Sequence, residues 1–360
     1  MINFQAPINN TTGYGITSTN VWKLLRDKTK LSLFPIGGGV SLDEDQKDLT
    51  PLLQEDLNNA VTTDNKNNNL LKIWHQHDLM TRVGVGKYSA LTFFELDTLN
   101  ATEVASLNHP NKIFVSSAWA KTILENHNIP SDNIRIVPLG VNLQTFNPSN
   151  FQQTDKPDNK YVFINVGKWE IRKGHDLLVN IFNEAFTEQD NVELWMINHN
   201  PFLNDQQISQ WHQVYKSSKL GNKIKIFPRI NTHLELASVM NNADCGIFLS
   251  RGEGWNNEVM ETMALNKPVI LTNYSAHTQY STKDNSYLVD VDSTEAANDG
   301  IWFKGQGNWA KLGIPQIEQS IEYMREVYQN NIRTNENGLK TAQKYTWQNT
   351  TDLIWKYMNE

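Results

Sequence analysis

The sequence predicts an α/β protein with two domains, each built around a parallel sheet. The first observation is the alternation of short apolar segments with amphipathic ones, as in YVFINVG (161–167), HDLLVNIFNEAF (175–186) and VELWMIN (192–198). The second is that both halves of the chain show this alternation. The third is the length of 360 residues, which exceeds one ordinary core and suits two domains of roughly 150 residues. Repeated β–α units of this size imply parallel sheets covered by helices on both faces.

The second half of the chain has the clearer pattern. Its helix at 175–186 places apolar side chains on one face, with the spacing of an amphipathic helix. Later helices are predicted at 205–218 and 232–243, and Thr232 with Glu235 forms a capping-box pattern at the start of the second of these. The remaining strands are predicted at KIKIFPR (223–229), DCGIFLS (244–250), PVILTN (268–273) and SYLVDV (286–291).

The first half repeats the pattern more faintly. Its strand-like segments are INFQAP, LSLFPI, KIWHQH, YSALTFF, KIFVSS and IRIVPLG, and a loop TTGYG (11–15) is predicted before a helix near Thr17–Arg26. The polar segment 147–160 contains two prolines and is predicted to be a linker. We therefore expect domains at 1–150 and 158–344, and an amphipathic helix within 345–360 that crosses back to the first domain.

Composition limits the classes of function. The net charge of −7 and pI near 5.7 do not favour binding of a large nucleic acid. The single cysteine, Cys245, permits no intrachain disulfide and fits a reducing compartment. The first residues lack the charged and apolar regions of a secretory signal, and no apolar run approaches the length of a membrane span. We expect a soluble, cytoplasmic protein.

One basic segment is an exception to the acidic average. VWKLLRDKTK (21–30) groups four cations, Lys23, Arg26, Lys28 and Lys30, around Trp22. Such a cluster could contact an anionic acceptor or, weakly, a membrane surface. A solvated helix face is the favoured interpretation.

The segment EGWNNEVME (253–261), which begins and ends with a carboxylate, follows the predicted strand 244–250. Glu253 falls in the loop at the carboxyl end of the strand, and Glu261 falls one to two turns into the next helix. Ligands of open α/β sheets bind at this edge. Acidic side chains beside the N–H groups of a helix start suit the hydroxyls and phosphates of a nucleotide-sugar.

A second charged loop, GKWEIRKG (167–174), follows the first strand of the second domain. Lys168, Arg172 and Lys173 bring three positive charges to the carboxyl end of that strand, just before a helix N-terminus. Charge and helix dipole together predict a pyrophosphate site. A solvated basic turn is the alternative, but both signals lie at the same edge of the same sheet.

These segments resemble the donor-binding domain of family 4 retaining glycosyltransferases of the GT-B fold. The resembling stretches are VGKWEIRKGHDLL and ADCGIFLSRGEGWNNEVMETMALNKPVI, together with FVSSAWAKTILENHNIPSDNIRIVPLGVNLQTFNP and TGYG in the first half. The resemblance covers most of the chain. It implies two Rossmann-like, doubly wound parallel-sheet domains that face each other across a cleft.

The resemblance also implies roles for individual residues. Lys168 and Lys173 would contact the donor phosphates, Glu253 the donor sugar and Glu261 the ribose hydroxyls. The remaining donor-binding candidates are Trp255, Asn256 and Asn257 through their N–H groups, with Gly254, Arg172, Gly13 and Gly15. Lys168 stands where the family usually has Arg, and a point charge replaces a bidentate fork. Asn256 and Asn257 stand where small or apolar residues are common, so donor identity is in doubt.

The first domain offers candidates for the acceptor side. His75 and His77 lie in WHQHDLM (74–80), and a His-x-His pair on a strand would place both rings on one face. A metal site formed by this histidine pair is disfavoured because no third ligand is assigned. Glu95 and Asp97 follow an apolar strand. A contact with an acceptor hydroxyl and a position in a solvated loop are about equally favoured interpretations of these two residues.

The leading hypothesis is a hexosyl- or pentosyltransferase that moves a sugar from a nucleoside-diphosphate sugar to a hydroxyl of a glycan or other glycoconjugate. The resemblance implies retention of configuration, no metal and no cofactor besides the donor as co-substrate. A sugar-nucleotide epimerase or hydrolase, and a non-catalytic sugar-nucleotide-binding subunit, remain alternatives. A nucleic-acid acceptor is disfavoured by the net charge, but not excluded.

Overall fold

The structure, a computed structural model, describes residues 1–151 and 160–360. Most of the predicted linker, residues 152–159, lies outside the described residues. The chain divides into a first unit of Met1–Gly140 with Tyr345–Glu360, and a second unit of Val141–Lys344. The boundary lies before residue 150 because the following segment packs with the second unit, where Phe146 is buried and its ring lies 6.2 Å from that of His233.

The first unit contains a six-stranded parallel sheet in the order β2-β1-β3-β4-β5-β6. Its strands are β1 (Ile2–Asn9), β2 (Leu31–Ser41), β3 (Asn69–Ile73), β4 (Tyr88–Thr92), β5 (Lys112–Val115) and β6 (Ile134–Ile136). Its helices are α1 (Gly13–Leu25), α2 (Thr50–Thr62), α3 (Ala101–Leu107) and α4 (Ala118–Asn126). Each predicted strand overlaps an observed one, but β6 is shorter than its apolar run, and β3 begins earlier than KIWHQH (72–77) and ends at Ile73.

Helix α1 begins earlier than predicted, so the last three residues of the segment TTGYG (11–15) are helical and not part of a loop. The side chain of Thr12 caps the helix by accepting a hydrogen bond from the Gly15 N–H. Gly13 and Gly15 therefore lie in the first helical turn. The expectation failed because glycine is a poor helix former on intrinsic propensity, whereas here a cap and tertiary contacts determine the start.

The basic segment on α1 does not form a cationic face. Trp22 is fully buried, and its indole N–H donates to Asp56 at 2.7 Å. Arg26 pairs with Asp56 at 2.5 Å, and Lys28 pairs with Asp352 at 2.5 Å. Trp22 is therefore a core residue, and two of the four cations are neutralised by ion pairs. A weak membrane-surface contact of this segment stays a prediction.

The second unit contains another six-stranded parallel sheet, in the order β12-β11-β10-β7-β8-β9, and an antiparallel hairpin, β13–β14. Its strands are β7 (Tyr161–Gly167), β8 (Val192–Asn198), β9 (Ile224–Ile226), β10 (Cys245–Phe248), β11 (Val269–Thr272), β12 (Tyr287–Val289), β13 (Thr294–Asn298) and β14 (Lys304–Ala310). Its helices are α5 (His175–Ala185), α6 (Asp205–Lys216), α7 (His233–Asn241), α8 (Asn257–Ala264), α9 (Ile314–Gln329) and α10 (Glu336–Lys344).

The order of the second sheet positions the charged loops. Strand β7 lies between β10 and β8, and all neighbouring strands in this sheet run parallel. The loops that follow β10, β7 and β8 therefore emerge side by side at one edge. That edge carries the two segments that the sequence selected, 167–174 and 253–261.

The last helix, α11 (Trp347–Met358), belongs to the first unit, where it packs against α1 and β5. Thr350 fixes it by donating to the carbonyl of Pro138 at 2.8 Å. Among the described residues, none of the helices has the length and apolar character needed to cross a bilayer.

Candidate functional site

The carboxylate of Glu253 and two cations from the β7–α5 loop form the centre of the candidate site. The Lys173 ammonium lies 3.0 Å from one carboxylate oxygen, and the Arg172 guanidinium lies 2.9 Å from the other. All three side chains are buried. The adjacency of β7 and β10 thus brings together charges that are eighty residues apart in sequence.

Additional hydrogen bonds hold Glu253 in place. The hydroxyl of Ser250 donates to the carboxylate at 2.8 Å, and the backbone N–H of Glu253 donates to the hydroxyl of Ser275 at 2.9 Å. Burial alone would raise the pKa of Glu253, but Arg172 and Lys173 outweigh it and hold that pKa well below its usual range. The carboxylate is therefore anionic at neutral pH.

Lys173 keeps its charge although it is buried. Burial opposes the charged form, but Glu253 and Glu258 overcome this effect and raise the lysine pKa. Glu258, in the first turn of α8, lies 3.8 Å from the ammonium. The stem of Lys173 passes Gly167 so closely that a Cβ there would lie 3.0 Å from it. Lys173 is thus a fixed positive charge at the sheet edge.

Arg172 is directed into the protein. Besides Glu253, it contacts the Glu170 carboxylate at 2.7 Å and donates to the carbonyl of Gly252 at 2.6 Å. These contacts join the β7–α5 loop to the β10–α8 loop. The donor contact expected of Arg172 stays a prediction, and in the structure its guanidinium holds the two loops together.

The N-terminus of α8 presents side-chain oxygens as well as N–H groups. Asn256 caps the helix in a left-handed conformation with φ of 78°. Its amide N–H donates to His277 Nε2 at 3.0 Å, and His277 Nδ1 donates to the carbonyl of Thr272 at 2.9 Å. Burial lowers the pKa of His277 to about 4, so the ring is neutral and can accept this bond.

Two amide oxygens at this helix start have no hydrogen-bond partner within the described part of the chain. They are the buried Oδ1 atoms of Asn256 and Asn257. A buried, unsatisfied acceptor costs free energy that a donor group from a ligand can recover. Hydroxyl groups of a sugar are donors of the right kind.

Glu261 lies in the second turn of α8 and is buried. Burial, together with the nearby charge of Glu258, raises its pKa to about 8. The side chain is therefore largely protonated at neutral pH and can both donate and accept hydrogen bonds. Glu253 and Glu261 thus hold different charge states.

Lys168 and Trp255 occupy the two loops beside this centre. The Lys168 ammonium lies 5.1 Å above the ring of Phe202, in the loop after β8. Trp255 is buried next to Gly254, and its carbonyl accepts a hydrogen bond from the Tyr280 hydroxyl at 2.8 Å. The predicted donor-side residues of the second unit therefore line one edge of one sheet.

Comparisons with known proteins agree with this arrangement. Residues 146–303 match the family model described as "Glycosyl transferases group 1". The match supports a glycosyltransferase. No curated protein matches the sequence significantly.

Solved structures resemble the whole chain. A glycosyltransferase from Rickettsia africae is 15% identical, with 99% of this chain and 97% of that chain covered and a TM-score of 0.67. HepE from Anabaena, solved in complex with UDP-glucose, is 14% identical, with 99% of each chain covered and a TM-score of 0.71. A sucrose-phosphate synthase from Thermosynechococcus elongatus is 13% identical, with 99% and 98% covered and a TM-score of 0.72. These likenesses show the fold, and the predicted GT-B class is confirmed.

The sequence suggested that His75 and His77 lie on a strand, but in the structure they follow the end of one. Strand β3 ends at Ile73, and His75 precedes a short helical turn, Gln76–Asp78. The rings of His75 and His77 stack at 5.3 Å, and His75 lies 4.3 Å from the ring of Tyr14. Within 1–151 and 160–360, no group of three His, Cys, Asp or Glu side chains could hold a metal ion.

Glu95 and Asp97 lie half-buried in the segment that follows β4. Burial raises the pKa of the Tyr14 phenol above its usual value, and the charge of Glu95 adds to that effect. Tyr14 donates to the carbonyl of Phe93 at 2.7 Å. The first turn of α1, the end of β4 and the histidine segment are therefore neighbours within the first unit.

Several residues of the candidate site were not predicted from the sequence. Ser250 and Arg251 lie in the β10 loop itself, and Ser275 and His277 follow the neighbouring strand β11. The signal available for them was position, since each falls at or next to the carboxyl end of β10 or of its neighbour β11. Their hydrogen bonds depend on side-chain directions that spacing does not reveal.

Proposed function

We propose that this chain is a retaining glycosyltransferase that moves a sugar from a nucleoside-diphosphate sugar to an acceptor hydroxyl. The observation that carries the proposal is the buried Lys173–Glu253 pair, 3.0 Å apart, beside the N-terminus of α8. HepE, which shares the fold, has been solved with UDP-glucose and with UDP and glucose. A nucleotide-sugar donor is the ligand class that suits this edge.

In this proposal the donor lies along the edge formed by the β7 and β10 loops. Lys168 and Lys173 contact the diphosphate, to which the N–H groups of the first turn of α8 also point. The unsatisfied oxygens of Asn256 and Asn257 accept hydroxyl groups of the sugar. Glu261 contacts the ribose hydroxyls, for which its protonated carboxyl offers one donor and one acceptor.

The chemistry follows from where charge develops. When the bond between the anomeric carbon and the phosphate oxygen breaks, negative charge appears on the leaving diphosphate. Lys173 is already fixed by Glu253, so it stabilises that charge without reorganising. One well-placed donor of this kind contributes roughly 3 kcal/mol to catalysis. Lysine charge balances the phosphates, and the proposed mechanism requires no metal.

Glu253 has a supporting part in this reaction rather than a nucleophilic one. Both of its oxygens are engaged by cations, and the carboxylate also accepts from Ser250. The acceptor hydroxyl attacks from the face that the diphosphate leaves, and the leaving phosphate takes its proton. That course retains the configuration of the anomeric carbon.

The acceptor is proposed to be a hydroxyl of a glycan or glycoconjugate bound by the first unit. Its candidate contacts are Glu95, Asp97, His75 and His77, which lie near the first turn of α1. Gly13 is the exposed first residue of α1 and has no side chain, so a ligand can approach its backbone closely. The nearest atom to a Cβ built on Gly13 would be a ring carbon of Phe93, at 3.8 Å.

A thermal-shift screen against UDP, GDP, ADP and their sugars tests the proposal. Binding to the folded state raises the melting temperature by mass action. We expect a shift with at least one nucleoside diphosphate, and transfer of the corresponding sugar when an acceptor is added. The absence of any shift would overturn the proposal.

Variants separate the proposal from its alternatives. Lys173→Ala should abolish most of the shift, whereas Lys225→Ala, which removes a lysine from β9, should not. Consumption of the donor with no acceptor present would favour an epimerase or hydrolase. Binding without turnover, for every acceptor class tried, would favour a non-catalytic subunit.

A further inference from the structure

The hairpin β13–β14 lies beside the candidate donor site and was not predicted from the sequence. Its base is tied to the β10 loop, where the Ala310 N–H donates to the carbonyl of Arg251 at 2.8 Å. The Arg251 guanidinium lies 5.7 Å from the buried ring of Trp309 and 3.7 Å from Glu295. Arg251 also forms two hydrogen bonds of 2.8 Å with Asp176 on α5.

The tip of the hairpin has a defined conformation. One carboxylate oxygen of Asp299 accepts the N–H groups of three successive residues, Ile301, Trp302 and Phe303, at 2.8 to 2.9 Å. This arrangement orders the turn although no strand pairing covers it. Trp302 is consequently held at a fixed place while 48% of it remains exposed.

Trp302 packs against a second exposed aromatic residue from a different loop. Its ring meets that of Phe202 edge-to-face, with centroids 5.6 Å apart and planes at 76°. Phe202 is 57% exposed, so neither ring is needed to fill the core. This pair of exposed rings is therefore available for a role other than folding.

Phe202 is also linked to the loop that carries Lys168. The Lys168 ammonium lies 5.1 Å from the centre of the Phe202 ring, within the range of a cation–π interaction. Asn200, fully buried, accepts from the Phe202 N–H at 3.0 Å and donates to the carbonyl of Trp169 at 3.0 Å. Ring and lysine are therefore joined through the backbone as well.

We propose that Phe202 and Trp302 are positioning residues that hold the Lys168 ammonium at the donor diphosphate. Phe202 supplies the ring face on which the ammonium rests, and Trp302 fixes the plane of that ring. A lysine side chain has many rotamers, and restricting them before binding improves affinity. The inference rests on the proposed function, because it assigns Lys168 a phosphate to contact.

Calorimetric dissociation constants for UDP and GDP test this inference on the full chain. A cation–π contact at an exposed site corresponds to a change of about two- to five-fold, so Phe202→Ala should raise the dissociation constant by that factor. Trp302→Ala should act in the same direction. Phe202→Tyr keeps the ring face and should restore the wild-type value.

A double-mutant cycle distinguishes positioning from a general structural effect. If Phe202 acts through Lys168, then Phe202→Ala should add nothing to the effect of Lys168→Ala. Ile301→Ala, at the same hairpin tip and 43% exposed, is the matched control and should bind as the wild type does. All of these side chains are exposed enough for folding to survive, which a melting curve verifies.

Two results would contradict the inference in distinguishable ways. If Lys168→Ala weakens binding while Phe202→Ala does not, or if their effects add, the aromatic pair does not position the lysine. If Lys168→Ala leaves binding unchanged, the proposed phosphate contact of Lys168 fails and the inference fails with it. Loss of binding in Lys173→Ala would show that the rest of the donor site stands.

Discussion

The ammonium of Lys173 and the carboxylate of Glu253 meet at 3.0 Å across two loops that follow adjacent strands. Arg172 approaches the same carboxylate at 2.9 Å. Two buried cations thus share the carboxylate of Glu253, although Arg172 also pairs with Glu170. The pair fixes a positive charge at the sheet edge, and it makes that edge sensitive to loss of the carboxylate.

Glu253→Gln should destabilise the protein strongly. The substitution leaves Lys173 and Arg172 buried with less compensating charge, and removing one partner of a buried ion pair costs about 3–5 kcal/mol. Urea unfolding followed by circular dichroism measures the loss.

The matched control is Glu55→Gln, since Glu55 pairs with Arg26 at 2.6 Å while its side chain is 58% exposed. Exposed pairs contribute about 1 kcal/mol or less. Equal losses in the two variants would contradict the account of Glu253.

The pH dependence of stability is a second check on Glu253. Because folding lowers the pKa of Glu253, its contribution to the stability of the protein is present above about pH 4.5 and is lost as the pH falls.

Glu261 should make stability depend on pH in the opposite direction. Its pKa rises from 4.5 to about 8 in the folded protein, so the folded state binds a proton more tightly than the unfolded state. The contribution of Glu261 to stability is then fully present below about pH 4.5 and is lost as the pH rises toward 8, by up to about 1.4 kcal/mol per pH unit. Unfolding free energies measured from pH 5 to 9 show this slope.

Glu261→Gln should reduce that slope, because the neutral amide has no proton to lose. Glu318→Gln removes an exposed carboxylate on α9 and should leave the slope unchanged. An identical pH profile in Glu261→Gln and the wild type would refute the protonated state.

The parallel α/β architecture of both units, and the placement of both charged loops at one sheet edge, could be predicted from the sequence. Buried parallel strands are continuous apolar runs, such as Tyr161–Gly167 and Cys245–Phe248. Strand order in such sheets places their carboxyl ends together. The proximity of the β7–α5 loop, which carries Lys173, to the loop that carries Glu253 is a consequence of this topology.

The direction of individual side chains could not be predicted in the same way. Arg172 and Lys173 are consecutive cations in one loop, yet Arg172 also binds Glu170 and the Gly252 carbonyl. That choice depends on the backbone angles of the loop and on carbonyls from a segment eighty residues away. The hairpin β13–β14 was missed because its strands, TEAAN and KGQGNWA, lack apolar alternation.

The two glycines in the first turn of α1 should respond differently to alanine. A Cβ at Gly15 would lie 2.2 Å from the side-chain oxygen of Asn9 and 2.5 Å from its carbonyl, whereas a Cβ at Gly13 has only Phe93, at 3.8 Å. Gly15→Ala should cost about 1–3 kcal/mol through overpacking. Gly13→Ala should be neutral or gain up to about 1 kcal/mol from helix propensity. Similar melting temperatures for the two variants would contradict the close approach of Asn9.

A substitution at Gly174, the last residue of the β7–α5 loop, should lower both the stability of the protein and its affinity for a nucleotide. Its φ is 75°, and a Cβ there would lie 2.2 Å from the carbonyl oxygen of Leu249. Gly174→Ala must therefore displace either the β7–α5 loop or the β10 loop, which carry Lys173 and Glu253. Both unfolding free energy and nucleotide affinity should fall.

Gly300 is the matched control, because it has a similar φ of 74° and a Cβ there would have no atom within 4 Å. Gly300→Ala should therefore cost only the strain of the left-handed conformation, about 1–2 kcal/mol. It should leave the calorimetric affinity for UDP and GDP unchanged. If Gly174→Ala lost stability alone, the loop contact would be structural and separate from the donor site.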